Sequence, residues 1–403
     1  MRRPLISPEA QVVLLTAGGE KNDDALTELL KGELDWGYLA RLATQQTAVP
    51  VLWRRLASLP EVSISAEARG SLQRMAMVAE FRQSFLEQRL HATLRVLSSA
   101  GVPVLLLKGA ALGATVYPSF AARPMADLDL LVPREAARSA WVLLQEHGWR
   151  QTAGEERDEF YRGHHHLPPL EDVSGAGLDL EIHTDLLSEA HPFLIPLERI
   201  WEDARTVHVG GQPAYVPSTS DALLHLCVHF FWSHMARSGA WRAFRDLEML
   251  TTRASPDWDS FARTARAARA TTSAYWTLRL ARNLAGVRLP PRVLADLRPR
   301  QSEAILRRLE GHFTAGLLPS RVACPSVYLS RSLWSLAVQP RRSGHGASRP
   351  WQREAVARTT FSPGPPATRV EVLRAQLRNL KAWRQYLGAV LHPPRSFRAS
   401  IHG

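Results

Sequence analysis

Asp127 and Asp129, two apart in RPMADLDLLV, are the side chains of this 403-residue chain best placed to do chemistry. On a β-strand alternate side chains share a face, so both carboxylates project together while Leu128 and Leu130 turn into a core. A pair of hard oxygen donors suits Mg2+ or Mn2+. Magnesium takes few protein carboxylates and completes its shell with water and substrate phosphates. Taken alone, D-x-D fits a solvated strand edge or a turn equally well, so its surroundings decide.

Eighteen residues before Asp127 lies Gly109, in LLLKGAAL, where a buried strand gives way directly to a helix. Backbone N–H groups at a helix start are unpaired and favour phosphate, and a glycine lets the phosphate come close. Lys108 beside that glycine and Arg123 four residues before the acidic pair are candidate partners for a phosphate oxygen. Further on, Leu178, Leu180 and Ile182 alternate with Asp179, Glu181 and His183, which places two carboxylates and an imidazole on one strand face. A third carboxylate there completes a two-metal shell and takes a proton from an attacking hydroxyl. Asp179 and Glu181 both qualify; the polar outer face of an edge strand is the simpler account of the same row.

The elements that must hold these residues follow from periodicity. Apolar residues recur three and four apart in ALTELL, DWGYLARLA and the run Glu67 to Ser99, which makes residues 1–100 a helical N-terminal region. At GVPVLLLKG the pattern changes to a buried strand, followed by the helix AALGATVY, a strand from Asp127 to Val132, a helix from Pro133 to His147 and the alternating LDLEIHTDL. Residues 101–190 thus form a small mixed-sheet core, while FYRGHHHLPPLED matches neither period. Helical patterning returns over 191–338, notably Asp221 to Met235 and Trp241 to Thr251. The Pro-, Ser-, Gly- and Arg-rich stretch 339–367 reads as a linker, and 368–403 as a basic helix and tail. The fold class expected is α+β, with helical regions flanking the core.

Composition narrows the setting. Two cysteines, Cys227 and Cys324, are too few for a disulfide framework and lack zinc-site spacing, so a reducing cytoplasm is the default compartment. Pro4, Pro8 and Glu9 interrupt any apolar leader, and no stretch is long and apolar enough for a transmembrane segment. The net charge of +12 sits entirely in residues 301–403, where 16 Arg and Lys face 4 Glu, against 34 of each sign before them. Such a tail attracts RNA or an anionic surface; an Arg-rich codon bias explains it as simply, since the chain has only four lysines. His225 and His229 lie i, i+4 near Cys227 and His234, but no Glu follows His225 as zinc-protease chemistry requires, and buried, internally satisfied histidines are the plainer reading. Arg242 and Asp246 are spaced to pair with each other on a helix, and Trp241 to pack in a core. Neither G-x-S-x-G nor a Walker-type lysine loop occurs.

The block LKGAALGATVYPSFAARPMADLDLLVPREAARSAWVLLQEHGW, with LEIH after it, resembles bacterial nucleotidyltransferase family proteins, a poorly characterised branch of the DNA polymerase beta-like superfamily. The resemblance spans roughly residues 100–250. It implies Gly109 at a phosphate turn, Asp127 and Asp129 as metal ligands and Glu181 as the third acidic residue. Ala110 stands where many relatives carry Gly or Ser, so a hydroxyl contact to phosphate is missing. The activity implied is metal-dependent transfer of a nucleoside monophosphate from a nucleoside triphosphate such as ATP to a hydroxyl on a small molecule, a peptide or RNA, with release of pyrophosphate. The alternatives are a non-catalytic nucleotide- or RNA-binding module on the same fold, or a toxin-like nucleotidyltransferase.

Overall fold

The computed structural model describes residues 5–59, 64–151, 161, 164–188, 191–320, 322–338 and 369–391; the expected linker at 339–367 lies outside them. Contacts divide the chain into two compact units. One contains Pro8–Pro299, and the other joins Ser7 and its neighbours to the described residues between Arg300 and Leu391. The helices of residues 8–99 and those of 197–296 therefore share a unit with the sheet.

That unit begins with helices α1 (Pro8–Ala17), α2 (Asp23–Leu30), α3 (Trp36–Gln45), α4 (Val49–Ser58) and α5 (Ala66–Ser99). Ser65 starts α5 by accepting the Ala68 N–H at 3.2 Å, a side-chain cap for one of the orphan donors of the first turn. Leu72, Ala76, Gln83, Leu86, Leu90, Leu94 and Leu97 recur three, four or seven apart and form its buried stripe. Next come β1 (Leu105–Leu106), α6 (Lys108–Thr115), β2 (Asp127–Leu131), α7 (Arg134–Gln145), β3 (Trp149–Gln151), β4 (Leu170–Asp172) and β5 (Asp179–His183). The unit continues with α8 (Leu197–Glu202), β6 (Arg205–Val209), β7 (Gln212–Val216), α9 (Thr219–Val228), α10 (Ala240–Arg253), α11 (Trp258–Ala267), α12 (Thr271–Ala285) and α13 (Pro291–Asp296).

The seven strands form one mixed sheet in the order β3-β4-β5-β2-β1-β7-β6, which with its flanking helices is an α+β fold. The hairpin β6–β7 lies within the helical region expected over 191–338 and interrupts it. Its signal was present in RTVHVGGQPAYV, two short alternating runs around Gly210 and Gly211, both at positive φ as a tight hairpin turn demands. Parallel pairing of β7 with β1 attaches the hairpin to the core.

Helix α5 fixes where β2 begins. Gln83 is buried and bonds the Met125 backbone twice, donating from Nε2 to the carbonyl at 2.8 Å and accepting the amide at 3.0 Å. A side-chain amide here replaces a missing strand neighbour just before Asp127. The other unit consists of α14 (Glu303–Leu317), α15 (Val327–Val338) and α16 (Arg369–Leu391), and within it His312 Nδ1 lies 2.9 Å from the Tyr386 hydroxyl. Among the described residues no helix is long and apolar enough to cross a membrane. Gln83→Leu strips both partners from the Met125 backbone and is expected to lower unfolding free energy by about 1–3 kcal/mol in urea titration. A loss under about 0.5 kcal/mol would show that β2 is placed by other contacts.

Candidate functional site

β2 and β5 run parallel, with Asp127 opposite Asp179, Asp129 opposite Glu181 and Leu131 opposite His183. Because both strands alternate in step, Leu128, Leu130, Leu178, Leu180 and Ile182 are all fully buried in one core. The opposite face carries Asp127, Asp129 and Glu181 into a cavity of about 350 Å³. Fully buried beside them, His183 sets its Nε2 2.9 Å from Asp129 Oδ1 and 3.2 Å from Glu181 Oε2. Asp129, Glu181 and His183 each offer a ligand atom within 4.8 Å of the others. Asp127 lines the same cavity but stands outside that trio. Asp179 is exposed and does not line the cavity, so of the two carboxylates on β5 only Glu181 faces it.

Asp129 is 3% exposed, and its charge needs local compensation. Burial pushes its pKa up, but the Lys108 ammonium 2.6 Å from Oδ1 and the His183 bond hold it well below the usual carboxylate range. Burial likewise pushes His183 and Lys108 down, and their carboxylate partners more than reverse it, leaving both raised. Asp127 moves the other way: the charge of Asp129, then burial, raise it despite Lys108. Two neighbouring carboxylates thus carry opposite shifts. Lys108 reaches Asp129 from a left-handed backbone at φ 45°, a conformation that costs a non-glycine residue roughly 1–2 kcal/mol. Strain of this kind persists only where surrounding structure over-determines it.

Arg123 departs from its expected role. Its guanidinium is buried on Asp246, Nη2 to Oδ2 at 2.8 Å and Nε to Oδ1 at 3.2 Å, and the Tyr117 hydroxyl donates to the same Oδ1 at 2.7 Å. Burial opposes its charge, but Asp246 raises its pKa above the ordinary arginine value. The pairing of Asp246 with Arg242 suggested by helical spacing does not form; a residue 123 positions away reaches the carboxylate instead. Gly109 changes meaning with it. A methyl at this buried glycine would overlap the Arg123 guanidinium and approach Met125 Sδ at 3.0 Å, so the glycine makes room for Arg123.

Five histidines line the cavity among the described residues. His165 and His166 enter it where His166 bridges to His183, extending the β4–β5 ladder. His166 donates Nδ1–H to the Leu167 carbonyl at 2.8 Å, the tautomer assigned from that bond, which turns the Nε2 lone pair toward Glu181 Oε1 at 4.0 Å. Burial, with His183 and His166 adding to it, pushes His165 down to about 2, so its imidazole is neutral. From the other wall come His225, His229 and His234. Between His229 and Ser233 helix α9 widens into a π-turn, closed by His234 N–H on the His229 carbonyl at 3.0 Å, and Met235 and Ala236 follow at φ 51° and 54°. Such π-turns are common at functional sites. This irregularity carries the chain from His225 to Arg242 along one side of the cavity. His225 is 5% exposed, pushed down to about 3 chiefly by burial, and its buried Nε2 has no partner among the described residues, which overturns the expectation of an internally satisfied histidine. Trp241 is core, its Nε1–H on Thr16 Oγ1 at 2.9 Å.

These residues suit a divalent cation. Carboxylate oxygens of Asp129 and Glu181 converge with an imidazole, Asp127 adds an oxygen donor on the same face, and an ammonium already rests on Asp129 Oδ1. A family model described as uncharacterised nucleotidyltransferase matches residues 32–286, more than half of the chain. No curated protein and no solved structure matches it.

Arg123→Met leaves buried Asp246 without its ion pair and with the Tyr117 hydroxyl as its remaining donor among the described residues, and urea denaturation is expected to show a loss of about 3–5 kcal/mol. Unchanged stability with lost nucleotide affinity would return Arg123 to direct phosphate contact.

Proposed function

We propose that this chain, which belongs to the uncharacterised nucleotidyltransferase family, moves a nucleoside monophosphate from a nucleoside triphosphate to an acceptor hydroxyl and releases pyrophosphate. The observation that carries the reading is the register of β2 on β5, which sets Asp127, Asp129 and Glu181 in one cavity with Lys108. Three carboxylates converging on a space with a lysine would repel a phosphate substrate unless cations intervene. Asp127, Asp129 and Glu181 would hold Mg2+ or Mn2+, with His183 bracing the last two from below. Bound there, the metal supplies positive charge to the phosphate oxygens and to the leaving pyrophosphate.

The residues do the rest. Helix α6 has no side-chain cap at Leu107, so its first-turn N–H groups remain available to a phosphate at the mouth of β1. Lys108 keeps Asp129 ionised in the resting site and lies ready to pair with phosphate once that carboxylate is otherwise neutralised. The acceptor oxygen attacks the α-phosphorus as the bond to the bridging oxygen breaks, and its proton passes to Glu181.

Magnesium-dependent pyrophosphate release is the direct assay, with the four ribonucleoside triphosphates offered as donors. Asp129→Asn and Glu181→Gln are each expected to lower the rate by at least about 100-fold, and EDTA to abolish it in the wild type. Equal release by wild type and Asp129→Asn would remove the catalytic assignment.

A further inference from the structure

Three cationic side chains line the cavity, and two are committed: Lys108 to Asp129, and Arg123 to Asp246. The third, Arg242, sits one helical turn before Asp246 on α10 and makes no hydrogen bond or ion pair among the described residues. It is half-buried. Burial, then the charge of Arg123, lower its pKa, while Asp127, Asp246 and Asp129 act in the opposite direction. An arginine stays protonated even so. A half-buried guanidinium without a direct ion pair among the described residues is costly, and an anionic ligand lowers that cost. The same wall contributes His225, whose buried Nε2 has no partner among the described residues.

The position of Arg242 is built from a distance. Trp241 and Arg245 beside it are tied to the first helix and its end, through Thr16 at 2.9 Å and the Ala17 carbonyl at 3.4 Å, and Lys21 grips Glu248 at 2.7 Å. These anchors fix α10, and Arg123 with Tyr117 hold Asp246 away from Arg242.

We propose that Arg242 binds the terminal phosphates of the donor triphosphate, taking a pair of phosphate oxygens on its planar fork. The inference rests on the nucleotidyl-transfer reading and adds the group that meets the pyrophosphate end. The carboxylates of β2 and β5 cannot offset negative charge on a leaving pyrophosphate, and the fork of an arginine matches phosphate geometry where a point charge does not. A nucleoside monophosphate lacks those terminal phosphates and does not engage Arg242.

Isothermal titration in magnesium tests this on the full chain. ATP, GTP, CTP, UTP and inorganic tripolyphosphate are titrated into wild type, Arg242→Gln and Arg242→Lys, followed by the monophosphate of the tightest nucleotide. Arg242→Gln is expected to weaken the triphosphate and tripolyphosphate about 10–100-fold and to leave the monophosphate unchanged, with Arg242→Lys recovering part of the loss. Because Arg242 makes no ion pair among the described residues, Arg242→Gln should melt at or above the wild-type Tm and Arg242→Lys close to it. A triphosphate Kd within about twofold of wild type in a folded Arg242→Gln protein, or an equal loss for mono- and triphosphate, overturns the role of Arg242. Wild type that binds none of the five probes overturns the nucleotidyl-transfer reading itself, an outcome distinct from either.

Discussion

A carboxylate in the middle of a sheet, with almost no exposure, is tolerable only if cationic and hydrogen-bonding groups surround it. Asp129 meets that requirement through Lys108 and His183, and much of the local architecture follows from it. His183 reaches Asp129 because β5 lies parallel to β2 with Leu131 opposite His183; a shift of one residue would turn His183 and Glu181 to the other face and bring leucines to the cavity. Lys108 reaches Asp129 because the chain turns at a left-handed residue where β1 ends and α6 begins. The strain in that turn is offset by an ion pair in a poorly solvated place, where such pairing is strong.

Beside this first charge system lies a second, Arg123–Asp246–Tyr117, which joins the segment before β2 to helix α10. It stands as a strut: a bidentate pair with a tyrosine hydroxyl, all buried, linking the strand side of the cavity to its helical side. Gly109 belongs to the strut, since any larger residue would collide with the guanidinium. By taking both oxygens of Asp246 the strut leaves Arg242 without an ion pair among the described residues, so a structural ion pair shapes the proposed substrate contact indirectly.

The helices before the sheet serve the same cavity. α5 sets the start of β2 through Gln83, and α1 holds α10 through Thr16 and Trp241. Both ends of the site are thus anchored to the N-terminal helices, which makes Pro8–Pro299 a single compact unit. The π-turn after α9 adds the remaining wall, where His225, His229 and His234 present imidazoles rather than a continuous apolar helix face.

Much of this was written locally. The alternation of LDLLV and LDLEIH sets which side chains share a face, because the two-residue period of a strand leaves no other choice, and the mixed α+β class follows from the change of period at Gly101. The hairpin at Gly210 was legible as well, in a glycine pair between two short alternating runs. What the sequence could not decide was partnership across the chain. Helical spacing offered Arg242 to Asp246, but a buried carboxylate takes the best-oriented fork that the tertiary fold brings near, and that was Arg123. Spacing equally left Asp179 and Glu181 equivalent, until the end of the strand proved exposed and its middle enclosed. Periodicity fixes the direction of a side chain within its own element; only packing between elements decides which other charge it meets, and that meeting determined the site.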